Sequence, residues 1–131
     1  MCARRQLKFR QLPGTYAIVR MPSNAPVPAW VTQGEFTSIT RTAEELSIVC
    51  QTNNLPKDDD PGPRWICLKL EGPFAFAQTG VLLSFIEPLS SKGIPIFAIS
   101  TYDTDYVLVQ EEFAHGTRQA LAEAGHELIG A

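Results

Sequence analysis

Two short stretches of the sequence hold residue types able to grip a small polar ligand. Thr79, Gly80 and Val81 open an apolar segment with helical spacing. The unpaired backbone N–H groups and positive dipole end of such a helix start can hold a carboxylate. Gly80 carries no side chain to keep a ligand away from that backbone. The second stretch, STYDTD, supplies Ser100, Thr101, Tyr102, Asp103 and Asp105: hydroxyls, carboxylates and one aromatic face. An amino acid presents a carboxylate and an ammonium side by side, so its receptor needs anion-binding donors next to a fixed carboxylate. Asp103 or Asp105 can supply the latter, for an ammonium or a guanidinium, and Tyr102 is the aromatic best placed to cover a ligand. These are also ordinary turn residues. Their chemistry depends on a fold that brings the two stretches together.

No other group of reactive residues is as well composed. Cys2, Cys50 and Cys67 lie 48 and 17 residues apart with no C-x-x-C pair, which argues against a disulfide framework. Cys50 and Cys67 fall in alternating apolar segments, where a free thiol behaves as a small hydrophobe. His115 and His126 stand 11 residues apart without a second Cys or His nearby to complete a zinc set. We therefore expect no metal, no cofactor and no catalytic residue. An enzyme with Cys67 or Cys50 as nucleophile and His115 or His126 as base is one alternative, although neither histidine sits in a segment resembling a catalytic loop. A structural module joined through exposed sheet edges is another.

A chain of 131 residues fits one ordinary domain or two units of about 65 that share a core. With 44% hydrophobic and 19% charged residues it has the side chains for a core and too little charge for disorder. A net charge of -3 offers no electropositive surface for a phosphate backbone, so nucleic acid is not expected as a partner. Apolar runs such as Gly80 to Ile86 fall short of the roughly 20 residues that span a bilayer. Arg4, Arg5, Lys8 and Arg10 are not followed by an apolar segment or a small-residue cleavage site. No membrane association and a cytoplasmic location are the expectation.

The elements that must position the two stretches can be read from periodicity. Thr52 to Pro63, TNNLPKDDDPGP, cannot sustain a helix or a central strand and marks a boundary between units 1–62 and 63–131. Its aspartates lack the spacing of a calcium loop. Beyond it, Arg64 to Leu70 alternates as a strand, and Val81, Leu82, Phe85, Ile86 and Leu89 form the stripe of a helix that Gly93 ends and Pro88 deprives of one hydrogen bond. Ile94 to Ser100 and YVLVQ read as a hairpin, Glu111 to Ala124 as a second helix ended by Gly125, and His126 to Ile129 as a closing strand. The order βαββαβ predicts an α+β, ferredoxin-like unit: a four-stranded antiparallel sheet with two helices on one face. Strand two would be an edge, where Pro95 is tolerated. In the first half, Leu7 to Leu12, Thr15 to Arg20, Glu35 to Thr40 and Leu46 to Gln51 read as strands, with a short turn around Val27 to Val31. That half is mostly β, with too few large anchors to stand alone, and is expected to share a core with the second.

The stretch from Trp65 to Val109, with TGVL at the helix start, GI before strand two and ISTYDTDYVLV in the hairpin, resembles the small-molecule-binding ACT domain. More narrowly it is similar to short bacterial tandem-ACT proteins related to the CASTOR-type arginine sensors. The first half, with LPGTYAI, resembles their degenerate first unit less specifically. The resemblance implies a non-catalytic regulatory or sensor protein, a homodimer, that binds an amino acid or related metabolite and controls an unknown partner. Residue by residue, Asp105 falls where the arginine sensors place a ligand-contacting aspartate, and Gly80 and Val81 fall on their Gly-Ile pair. The loop EGPFAFAQTG departs from their pattern, which leaves side-chain selectivity open.

Overall fold

The computed structural model describes residues 6–72 and 80–130. The chain forms two compact units: Gly14–Trp65, and Met1–Pro13 together with Ile66–Ala131. Each strand and helix of the second half follows the expected order: β5 (Trp65–Leu70), α1 (Val81–Ser91), β6 (Phe97–Ser100), β7 (Asp105–Gln110), α2 (Ala114–Glu123) and β8 (Glu127–Leu128). This is the βαββαβ order of an α+β, ferredoxin-like unit. No helix among the described residues is long and apolar enough to cross a membrane.

One feature corrects the expected four-stranded sheet. β1 (Lys8–Gln11) pairs antiparallel with β5 and parallel with β8, so the strands run β6, β7, β5, β1, β8 across this unit. The strand expected at Leu7 to Leu12 exists, but its partners are in the second half of the chain. The physical reason is burial. Leu7 and Phe9 alternate inward and are 8% and 1% exposed in one cluster with Leu68, Leu70, Phe85 and Leu121. The ring of Phe9 meets that of Phe85 edge-on at 5.2 Å. β8, two residues long, leaves both of its side chains exposed.

α1 buries Val81, Ser84, Phe85, Pro88 and Leu89, which is the i, i+3, i+4, i+7, i+8 stripe of a helix packed on one face. Gly93, at φ 73°, follows its C-terminal cap in the left-handed region. Among the described residues β6 pairs only with β7, and it forms the edge expected of it, with Pro95 two residues before its start.

Pro88 has no N–H to give to the carbonyl of Ser84, four residues earlier in the helix. His126 takes that place. Its Nε2 lies 2.9 Å from the Ser84 oxygen, and its Nδ1 accepts the backbone N–H of Leu7 at 3.1 Å. A carbonyl only accepts and an amide N–H only donates, so these two partners select the neutral tautomer with its proton on Nε2. The ring is 5% exposed and lies 5.4 Å from that of Phe85. Backbone bonds from Glu127 to the Leu7 carbonyl and from Ile129 to the Phe9 carbonyl complete the attachment of β1, each at 2.8 Å.

In the other unit, β2 (Tyr16–Met21) and β3 (Ser38–Arg41) flank β4 (Leu46–Gln51), both antiparallel to it. Val31, from a 3-10 turn at Ala29–Thr32, packs on Leu46, Ile48 and Cys50. The unit is mostly β, as its composition implies, and β3 begins at Ser38 rather than at Glu35.

Removing the His126 ring strands two buried backbone groups, each worth about 1–3 kcal/mol when unsatisfied. His126→Ala should therefore lower stability by about 2–5 kcal/mol in chemical denaturation. Pro88→Ala restores an N–H beneath Ser84, so the loss caused by His126→Ala should be about 1 kcal/mol smaller in the Pro88→Ala background.

Candidate functional site

β6 and β7 form the expected hairpin, with Ser100 opposite Asp105 and Phe97 opposite Leu108. Its turn is closed by the Thr101 N–H and hydroxyl, which both donate to the Thr104 carbonyl at 2.8 and 3.0 Å. The Ser100 hydroxyl donates to the Asp105 carboxylate at 2.5 Å. Asp105 is thus engaged within the hairpin, whereas among the described residues no hydrogen bond or ion pair engages the Asp103 side chain. The hydroxyl of Thr104, 7% exposed, donates to the Leu70 carbonyl at 2.7 Å and ties the turn to the end of β5.

That tether creates a cleft of about 180 Å³ lined by Lys69, Glu71, Gly72, Asp103 and Thr104. Lys69 stands directly across from Arg10 in the antiparallel β1–β5 ladder, so the two cations share one face of the sheet. Glu71, two residues beyond Lys69, continues the ladder through its N–H to the Lys8 carbonyl and pairs its carboxylate with the Arg10 guanidinium. Among the described residues, no ion pair engages Lys69. Among the described residues, the cleft therefore presents one uncommitted cation, Lys69, and one uncommitted anion, Asp103.

At the helix start, Gly80 caps α1 with φ 78°, a left-handed conformation in which a side chain costs about 1–2 kcal/mol. Its carbonyl accepts the Ser84 N–H at 3.0 Å. The Val81 side chain is 5% exposed and belongs to the core, which leaves only its backbone for a ligand. Tyr102 is 78% exposed at the tip of the turn. Thr79, like Phe74 and Phe76, lies outside the described residues. The structure thus gathers Ser100, Thr101, Asp103 and Asp105 in one hairpin. Sequence reasoning missed Lys69, Glu71, Gly72 and Thr104. A lysine inside an otherwise apolar strand, followed at once by Glu-Gly, was the available signal.

Cys50 and Cys67 do not have the surroundings of nucleophiles. Cys50 and Cys67 are both fully buried, and burial pushes the Cys50 thiol up from its ordinary value. His115 is exposed, and both ring nitrogens of His126 are bonded to backbone. Among the described residues, no group of three or more His, Cys, Asp or Glu side chains is arranged to hold a metal ion.

A family model of the ACT domain matches residues 61–123, and a model described as an N-terminal domain matches residues 14–58. Putative protein CASTOR3P of Homo sapiens is 31% identical over 91 residues, 60% of this chain and 56% of that protein. The chain thus spans about half the length of this curated relative. Among solved structures, protein Atu0741 of Agobacterium tumefaciens matches with a TM-score of 0.86 at 47% identity, over 95% of this chain and 93% of its own. A Vibrio cholerae protein of unknown function, VC0802, described as a possible transport protein, matches with a TM-score of 0.73 over 88% of each chain. At 19% identity, this second likeness is one of fold alone.

In a Cys2→Ser variant, Cys50 and Cys67 should react with a thiol reagent only as fast as the protein unfolds, and stoichiometrically once denatured. A thiol that reacts at once in the folded protein would contradict their role as core residues.

Proposed function

Residues 61–123 belong to the ACT domain family, and on that premise we propose that the protein is a non-catalytic regulatory module that binds an amino acid or a related zwitterionic metabolite. One observation carries the reading: Lys69 and Asp103, neither committed to an ion pair among the described residues, line the same small cleft. The ligand's carboxylate meets Lys69 and the amides of Gly80 and Val81, and its ammonium meets Asp103. Asp105, already bonded to Ser100, supports the hairpin. Thr101 and Tyr102 complete the rim.

We further read the chain as two tandem units, 1–62 and 63–131, the first a degenerate ACT-like unit that lends its opening strand to the sheet of the second. It acts as a cytoplasmic homodimer on a regulated protein partner. A ligand shifts such an equilibrium only through its differential affinity for the two states.

A thermal-shift screen of the purified protein against the twenty amino acids tests the reading. Ligand at about 100 times its dissociation constant adds about 2.7 kcal/mol of stability, a rise of several degrees in melting temperature. Asp103→Asn should weaken the responding ligand at least about tenfold, equivalent to 1.4 kcal/mol, by calorimetry. Asp105→Asn should weaken it less. If no amino acid raises the melting temperature while a stable dimer persists, the protein is an assembly module and the sensor reading is wrong.

A further inference from the structure

We propose that Arg10, on the strand inserted from the N-terminal end, sets the charge preference of the cleft: by neutralising Glu71 it selects a net-neutral zwitterion over a basic amino acid. The inference rests on the reading of the cleft as the ligand site.

The argument starts from the register of two strands. Arg10 and Lys69 are direct cross-strand partners, and like charges so placed repel unless acids intervene. Two acids are present, Glu71 and Asp103. Glu71 is drawn to Arg10, which leaves Lys69 and Asp103 as the pair available to a ligand. The three charged residues that line the cleft carry one net negative charge between them, and on their own they would favour a cation. Arg10 cancels that excess from outside the lining. It is therefore a positioning residue that acts through Glu71.

The side chains of Arg10 and Glu71 are 48% and 27% exposed, so solvent screens the pair and its influence is moderate. Removing one such charge should change the relative affinity for a cationic and a neutral ligand by about three- to fivefold at low salt, and by less at high salt.

Glutamine, lysine and glutamate are similar in size and differ by one charge at each step, so they serve as probes. Calorimetric titration of the folded wild-type protein should give glutamine tighter binding than lysine. Arg10→Gln should shift the ratio about three- to fivefold toward lysine, Glu71→Gln should shift it the other way, and the double variant should return to the wild-type ratio. A purely structural role for Arg10 would weaken all three probes together and leave their ratio unchanged, which would overturn the inference. If glutamine binds the wild type and Asp103→Asn abolishes that binding, but Arg10→Gln leaves the ratio untouched, only the role of Arg10 fails. If none of the three probes binds the wild type, this inference falls, and the thermal-shift screen against the twenty amino acids alone decides the reading of the cleft.

Discussion

The imidazole of His126 joins two backbone groups that would otherwise be stranded: the Ser84 carbonyl left open by Pro88 and the N–H of Leu7 at the entrance to β1. Much of the C-terminal unit depends on that arrangement. A proline in a helix ordinarily costs a hydrogen bond and deforms the last turns. Here the lost bond becomes an anchor for a strand from the other end of the chain. Leu7, once held by the ring and by Glu127, sets the register of the residues that follow it.

Register is what the chemistry of the cleft requires. A slip of one residue would turn the whole strand over, because successive side chains face opposite sides of a sheet. Phe9 would leave its contact with Phe85, and Arg10 would leave the face it shares with Lys69 and Glu71. The packing of the core and the charge of the cleft are therefore two consequences of one alignment. The link runs from a buried hydrogen bond, through the β1–β5 ladder, to Lys69, which no ion pair engages among the described residues.

Local patterns were legible in the sequence, and contacts between distant residues were not. The stripe from Val81 to Leu89 identified α1, its glycine stop and its proline, because all three are written within a dozen residues. The hairpin was equally plain, since alternation and turn chemistry are local properties. That Leu7 to Leu12 forms a strand could be read in the same way; that it enters the sheet between β5 and β8 could not, because the cause is the burial of Phe9 against residues as distant in sequence as Leu68, Phe85 and Leu121. The lost bond at Pro88 is a local property of the sequence, whereas its replacement by His126, 42 residues from Ser84, is not. At the site, the hairpin aspartates are equivalent by type, and only their partners separate them. Ser100 occupies Asp105, and nothing among the described side chains occupies Asp103. In the sequence Lys69 is one polar member of an alternating strand, and its significance comes from the Thr104 tether that brings the hairpin turn to the end of β5.

The central claim is that a zwitterion settles between the end of β5 and the β6–β7 turn. The most direct measurement is a titration of the ¹⁵N-labelled protein with the amino acid that most raises its melting temperature, followed amide by amide. The account predicts saturable shifts concentrated at Lys69 to Gly72, at Gly80 and Val81, and at Thr101 to Asp105, with Gly14–Trp65 little changed. Saturable shifts centred on the β2–β4–β3 sheet, with the hairpin turn undisturbed, would contradict it.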